Sequence, residues 1–347
     1  YEICACLVGS EMCIRDSVKA LVRIVNHTLK SHNLFPENSR ILVACSGGPD
    51  SMALLHLLKD IAIHRHTTYE LGVAIVDHCI RPESKEEVLW LQHQVDDLGL
   101  PFYSATFDVP RLSKEQKMSE ETMGRQVRYQ WLTEVAKSEN YDYIAVAHHK
   151  DDQAESILAH IIRGSGLNGL TGMTVVSSEY ATPVIRPLLD VTKETLLAYL
   201  EVKGISYCVD RTNEDVRYQR NRIRHRIIPE LEAINPNVVD AIARLGNSVH
   251  EDVLVMSDLT EQAFEKLVTI GADGVSLSRR ALRQESLAIQ RRLWQRLVGA
   301  VDSDITLTSA HQDQLLDIVN TGEEKTFTIK SIKVTAQCDT IKVYCKH

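Results

Sequence analysis

The sequence predicts an α/β protein: a parallel sheet with helices on both faces, then a smaller, mostly helical α+β domain. Three observations predict it. Short apolar runs of strand length alternate with helical stretches from about residue 40 to residue 163, and such alternation builds parallel sheets covered on both faces. The polar stretches at 46–51, 77–83 and 148–155 each follow a predicted strand. In a parallel sheet they share one edge, the edge at which such sheets bind ligands. After "NPN" at 235–237 the alternation gives way to long helices and three short strands. A boundary there gives domains 18–235 and 236–347.

The elements follow in order. Residues 18–32 read as an amphipathic helix, "RILVAC" (40–45) as a strand and "SMALLHLLKDIAI" (51–63) as a helix. "YELGVAIVDH" (69–78) is strand-like, and 84–99 carries apolar residues at helical spacing with Gly99 as its stop. Residues 101–109 form a strand, 119–140 a long helix, 141–149 a strand and 151–163 a helix with an aspartate at its start. "RGSGLNGLTGM" (163–173) is glycine-rich and reads as a flexible loop over the binding edge; 192–203 is another helix. Beyond the boundary, helices are predicted at 238–268, 279–299 and 308–320, with strands near 326–330, 333–337 and 341–345.

Composition narrows the possibilities. The 347 residues suffice for two domains. A net charge of −8 gives no bulk attraction to nucleic acid, so any such contact must come from a local patch. No run of about 18 apolar residues predicts a membrane span. The eight cysteines form no CxxC pair, which argues against a zinc site or a disulfide framework and for a reduced, cytoplasmic setting. Residues 1–17, with "VGSEMCIRDS", look like translated sequencing-adapter sequence and are read as a non-native or disordered leader.

Four motifs carry chemistry. In "SGGPDS" (46–51), Gly47 and Gly48 let the backbone turn and approach a ligand, and the N–H groups leading into the next helix form an anion cradle. Ser46 and Ser51 add hydroxyls, and Pro49 opens the helix. No Walker lysine is present. Asp50 repels phosphate unless Mg²⁺ lies between them, so the loop suits a metal-bound triphosphate. In "HHKDDQAES" (148–156), Asp152 and Glu155 are three apart on one helical face, suited to Mg²⁺ binding or proton acceptance. An acidic first helical turn is the structural alternative; a zinc site lacks a completing ligand. "ETMGRQVRYQW" sets Glu121, Arg125 and Arg128 on one stripe, either a phosphate-facing pair or an exposed salt-bridged face. "DRTNEDVRYQRNRIRHRIIP" (210–229) supplies the basic patch, with Arg217, Arg220, Arg222, Arg224 and Arg226 around Tyr218. Its alternative is a solvated charge run.

The SGGxDS loop resembles that of the N-type ATP pyrophosphatases, the PP-loop superfamily with its Rossmann-like, adenine nucleotide alpha hydrolase-like domain. The stretches "ILVACSGGPDS", "VDHCIRPESKEE", "ETMGRQVRYQWL", "AHHKDDQAESILAHIIRGSGLNGLTGM", "IRPLLDVTKETLLAYL" and "DRTNEDVRYQRNRIRHRIIPEL" together resemble one family within it, the tRNA(Ile)-lysidine synthetases. The match runs in order from 41 to 231; from about 240 onward it is looser, resembling that family's first C-terminal domain. A further C-terminal domain of longer members is expected to be lacking, since the chain ends at "VYCKH".

The resemblance implies ATP as substrate, Mg²⁺, free L-lysine, and a tRNA(Ile) with a CAU anticodon, in the cytoplasm, with a homodimer as the family's assembly. It implies that Ser46, Gly47, Gly48, Pro49, Asp50, Ser51, Arg128 and His148 bind ATP. Asp50 and Asp152 would hold Mg²⁺, and Asp50, Asp152, Glu155 and Arg220 would act in catalysis. Arg217, Arg222, Arg224 and Arg226 would contact tRNA. Three rivals remain at this stage. A tRNA thiolase requires a cysteine pair or cluster ligands. A GMP or asparagine synthetase requires a glutaminase domain. A tRNA-binding protein without catalysis would not need an intact SGGPDS, Asp152 and Glu155.

Overall fold

A computed structural model describes residues 11–65, 69–81, 83–209, 219–321 and 324–346. The chain divides into two compact units, residues 1–247 and 248–347. The first unit holds a six-stranded sheet of order β3-β2-β1-β4-β6-β5. Its strands are β1 (Arg40–Ala44), β2 (Glu70–Asp77), β3 (Phe102–Thr106), β4 (Tyr143–Ala145), β5 (Val176–Ser177) and β6 (Val184–Ile185). Strands β1 to β4 and β6 are parallel, as the alternation predicts. The two-residue β5 pairs antiparallel with β6 at the edge, so the sheet is mixed at one end. Both strands lie in a stretch left unassigned from sequence, because two-residue strands carry no periodicity.

The helices are α1 (Glu11–Ser31), α2 (Pro49–Arg65), α3 (Ser84–Asp97), α4 (Val109–Gln116), α5 (Glu120–Ser138), α6 (Lys150–Ile162), α7 (Leu167–Leu170) and α8 (Lys193–Lys203). Of the expected leader, residues 1–10 lie outside the described residues, and the backbone of 11–17 forms the start of α1. Strand residues alternate between two cores, because successive side chains point to opposite faces. Ile41 and Val43 pack with Leu21, Val25, Leu54, Leu58, Leu196 and Leu200. Leu42 packs on the other face with Tyr129, Leu132, Ala136 and Ile144. Gly72 in β2 faces Tyr141, whose hydroxyl occupies the space any side chain there would need.

Two local features differ from the sequence reading. Helix α4 is additional; Asp108 caps it, accepting from Arg111 N–H at 3.0 Å, and Pro110 sits in its first turn. The glycine-rich stretch 163–173 contains α7 and is tied to α6 at its end: Met173 N–H donates to Gln153 Oε1 at 2.6 Å, and Gln153 Nε2 donates to Met173 O at 2.9 Å.

The chain then runs through α9 (Gln219–Arg222), a wide π-helical turn (Ile223–Ile227), α10 (Ile228–Ile234) and α11 (Val238–Leu267). Ile223, Ile228 and Val239 pack against Ala154 of α6, which holds the arginines of this segment over α6. The division at 247 falls inside α11.

The second unit contains the rest of α11, α12 (Arg279–Gln284), α13 (Leu287–Val301) and α14 (Ser309–Thr321). Its antiparallel sheet, order β7-β8-β11-β10-β9, adds β7 (Val268–Gly271) and β8 (Gly274–Ser278) to the three expected strands β9 (Lys325–Ile329), β10 (Ile332–Gln337) and β11 (Thr340–Cys345). The expected single helix over 279–299 is two, because Ser286 caps a new start at Leu287. No described helix is long and apolar enough to cross a membrane.

Candidate active site

Because β1, β2 and β4 are parallel, the segments that follow them meet at one sheet edge. After β1, Cys45 N–H still donates to Ala74 O at 2.9 Å, and the chain leaves the sheet at Ser46. Gly47 has φ +78°, the left-handed region where a Cβ is costly. Its carbonyl accepts from Cys208 N–H at 2.9 Å. Ser51 Oγ donates to Gly48 O at 2.9 Å and accepts from Ser46 N–H at 3.2 Å. Pro49 opens α2, where its missing N–H costs nothing. Ser51, expected among the ATP ligands, is buried and its hydroxyl braces the loop from within.

Helix α6 starts beside this loop. His149 is its N-cap, and Asp152 at the third helical position accepts the His149 N–H at 3.1 Å, half of a capping box. The His149 ring is buried among three carboxylates. Nδ1 meets Asp151 Oδ2 at 3.2 Å; Nε2 lies 3.5 Å from Asp152 Oδ2 and 3.6 Å from Asp50 Oδ2. Burial alone would lower its pKa, but Asp151, Asp50 and Asp152 outweigh burial and lift it to about 9. Asp50 Oδ1 is buried without a hydrogen-bond partner, and Lys193 Nζ is 3.6 Å from Asp50 Oδ2. Asp151 also accepts from Lys193 N–H at 2.9 Å, fixing the start of α8.

Glu155, one turn along α6, is 1% exposed. Two arginines neutralise it together with Asp152. Arg220 donates from Nε to Glu155 Oε2 at 2.8 Å and from Nη2 to Asp152 Oδ1 at 2.7 Å. Arg224 donates from Nε to Glu155 Oε1 at 2.5 Å and from Nη2 to Asp152 Oδ1 at 3.0 Å. Such charge-assisted pairs have fixed geometry. Burial would raise the Asp152 carboxyl, but His149, Arg220 and His148 hold it down at about 2.

Two histidines held neutral by burial and neighbouring arginines lie alongside. His148 is held at about 3, by burial first and then by Arg186, Arg220 and Arg128, against the pull of Asp152. His78, after β2, is held at about 4 by burial and Arg128. Both Nδ1 atoms are buried without partners.

The structure thus brings together Ser46, Gly47, Gly48, Pro49, Asp50, Ser51, His148, Asp152, Glu155, Arg128 and Arg220. Arg217 lies outside the described residues. Arg222 and Arg226 are exposed. Arg224, grouped with them in the sequence reading, is turned onto Glu155 and Asp152, because Arg220 and Arg224 are four apart and share a face. His149, Lys193 and Arg186 were not selected from sequence. His149 sat in the quoted "HHKDDQ", and Arg186 is a lone charge in the apolar run "PVIRPLL".

A family model described as a PP-loop domain matches residues 17–231. The tRNA(Ile)-lysidine synthase of Porphyromonas gingivalis is 36% identical over 244 residues, 70% of this chain and 52% of that protein. That of Geobacter sulfurreducens is 32% identical over 304 residues, 87% of this chain and 63% of that protein. That of Caldanaerobacter subterraneus subsp. tengcongensis is 30% identical over 327 residues, 93% of this chain and 68% of that protein. The chain therefore spans about half to two thirds of the length of these curated relatives. Among solved structures, a U34-tRNA thiolase from Methanococcus maripaludis aligns with a TM-score of 0.59 at 20% identity, over 69% of this chain and 80% of that one. That likeness concerns the fold alone.

Proposed function

We propose, from the premise that this chain belongs to the PP-loop family of the tRNA(Ile)-lysidine synthases, that it ligates free L-lysine to carbon 2 of the wobble cytidine of a CAU-anticodon tRNA(Ile) at the expense of ATP. The observation that carries the reading is the meeting of the SGGPDS loop with Asp152 and Glu155 at one sheet edge. In the first step the C2 carbonyl oxygen attacks the α-phosphorus of ATP and pyrophosphate leaves. In the second the lysine ε-amine attacks C2, loses a proton, and AMP leaves. Activation is required because the carbonyl oxygen is a poor leaving group and an adenylate is a good one.

The chain's own residues have distinct parts in this reading. The N–H groups of Gly47, Gly48 and Asp50 grip the triphosphate, while Ser51 shapes the loop by taking the Ser46 N–H and donating to Gly48 O. Among the described residues no cluster of three or more His, Cys, Asp or Glu is set to hold a metal by itself. Two carboxylates suit Mg²⁺, whose coordination is completed by water and phosphate oxygens. Asp50 fits that requirement, since its Oδ1 is buried and unpartnered; Asp152 would join it by exchanging the Arg220 or Arg224 contact to its Oδ1 for the metal. Mg²⁺ held there would neutralise charge on the departing pyrophosphate. His149 Nε2 lies 3.6 Å from Asp50 Oδ2 and 3.5 Å from Asp152 Oδ2 and supports both carboxylates. Arg128 and Arg220 face developing phosphate charge. Glu155 accepts the proton of the attacking amine or steadies Arg220 and Arg224. Arg222 and Arg226 meet the tRNA backbone.

The test incubates the protein with ATP, Mg²⁺, labelled lysine and the CAU-anticodon isoleucine tRNA, with initiator methionine tRNA as control. Label is expected in the isoleucine tRNA alone. ATP-dependent AMP transfer without lysine label would keep the adenylation and overturn the nucleophile. Neither, in protein that still binds tRNA, would leave a binding protein.

A further inference from the structure

We propose that a groove along α5 receives an unpaired RNA nucleotide next to the modified cytidine, with its base stacked on Tyr180. The groove has a volume of about 540 Å³ and is walled by α5 between Thr122 and Lys137 and by residues 179–181. Over that span the helix rises about 22 Å. The groove begins beside the site: Gly124 of α5 lies against the His78 ring, 3.7 Å from where its Cβ would stand. Tyr180 is itself near enough to act on Arg128. Tyr129 is buried and stacks on Tyr180, with ring centroids 4.6 Å apart and planes within 9°. One face of Tyr180 is therefore taken, and the rest of the half-buried ring lines the groove. Arg125 also lines it, with its guanidinium 4.7 Å from the centroid of the Tyr129 ring.

The lining selects the ligand. Arg125 and Lys137 are matched in number by Glu134 and Glu179, so the groove carries no excess charge and is not a phosphate site. It offers instead an aromatic ring held from behind, with donors and acceptors along one wall. Gln126 and Gln130 present carboxamides there. Gln130 Nε2 donates to Glu134 Oε1 at 3.2 Å, which leaves the Gln130 oxygen as an acceptor. Such groups pair with base edges, and aromatic rings stack on base faces. A protein partner fits poorly, because Tyr180 and Ala181 are the apolar side chains of the lining. An enzyme that modifies a base takes it out of its stack. The neighbouring base then lacks a stacking partner, and Tyr180 supplies one.

The proposal deepens the ligase reading and rests on it for the RNA strand that reaches this edge. A single-stranded RNA heptanucleotide with CAU at its centre is titrated calorimetrically into wild type, Tyr180→Ala and Tyr180→Trp, with inorganic pyrophosphate as control. Tyr180→Ala should weaken RNA binding by about tenfold or more. Its salt dependence and pyrophosphate affinity should stay unchanged, because losing a stack removes no phosphate contact. Tyr180→Trp should restore the RNA affinity. Unchanged RNA affinity in a folded Tyr180→Ala overturns the groove, as does an equal loss of pyrophosphate or a wild type that binds no heptanucleotide. If Tyr180→Ala does not fold, a heptanucleotide with 4-thiouridine beside the cytidine is photo-cross-linked to wild type. Linkage to residues 122–137 or 179–181 supports the proposal; linkage elsewhere alone, or none, overturns it. Lysine transfer by wild type, with RNA binding that ignores Tyr180, keeps the ligase reading and overturns the groove. RNA binding that depends on Tyr180, in a wild type that transfers neither AMP nor lysine, keeps the groove and overturns the ligase reading.

Discussion

The two sheets of this protein bury their residues differently. In β1 of the first unit, Ile41, Leu42 and Val43 are all buried, with helices over both faces. In β10 and β11 of the second unit, buried positions alternate with more exposed ones, one face packing on Leu293, Trp294, Leu297 and Val298. The polar contents differ in the same sense. The first unit buries His149, Asp152, Glu155 and Arg186 around strand ends, and Asp50 Oδ1, His148 Nδ1 and Arg186 Nε there lack hydrogen-bond partners. The second is organised by apolar packing, with Thr260, Arg279 and Gln290 as its buried polar side chains among the described residues. A sheet covered on both faces leaves only its edge for chemistry, and the charge concentrated there is balanced in part by Arg220, Arg224 and His149.

The sharpest break in this contrast is Asp50→Asn. It should lower pyrophosphate release by about 10³-fold and lower the melting temperature, since Asp50 Oδ2 loses its charge pairing with His149 and Lys193; release assays and a thermal melt check both. The counterpart is Trp294→Ala. Trp294 is fully buried, so truncation should cost the second unit about 3–5 kcal/mol in denaturant unfolding while pyrophosphate binding by the first unit is retained.

The buried histidines sharpen the comparison through pH. His149 is lifted from 6.5 to about 9, so its contribution is full below pH 6.5 and is lost as pH rises through about 9. His148 and His78 are lowered from 6.5 to about 3 and about 4, so theirs is full above pH 6.5 and is lost as pH falls through those values. Stability of the first unit should therefore decline on both sides of near-neutral pH. His149→Asn should flatten the alkaline limb, worth about 3 kcal/mol, and leave the acid limb; an alkaline limb that persists in that variant would refute the assignment.

Smaller effects separate loop strain from ligand binding. Gly47→Ala, at φ +78° with only ordinary contacts around the new methyl group, should cost about 1–2 kcal/mol and weaken pyrophosphate binding. Gly204→Ala, at φ +62° in open space after α8, should carry a similar cost of about 1 kcal/mol and leave that binding unchanged. Arg222→Ala and Arg226→Ala should each move stability by less than about 0.5 kcal/mol and lower the slope of log tRNA affinity against log salt by about one.

The sequence by itself determined the α/β class, the loop, and the pairing of Asp152 with Glu155. These follow from local causes: β1 is a continuous apolar run, glycines permit the turn at 47, and a three-residue spacing on a helix fixes a shared face. The short strands β5 and β6 and the strands β7 and β8 escaped it, because two to five residues carry too little periodicity to be distinguished from loop. Only the tertiary structure decided the partners. Arg224 meets Glu155 across 69 residues, because the packing of Ile223 and Ile228 on α6 carries that segment to the carboxylates. His149 sits among Asp50, Asp151 and Asp152 because two parallel strands end side by side. Arg186 lies beside His148 because β6 adds next to β4. Local sequence sets which groups can act; the strand order sets which charges meet, since it alone fixes distances between residues far apart in the chain.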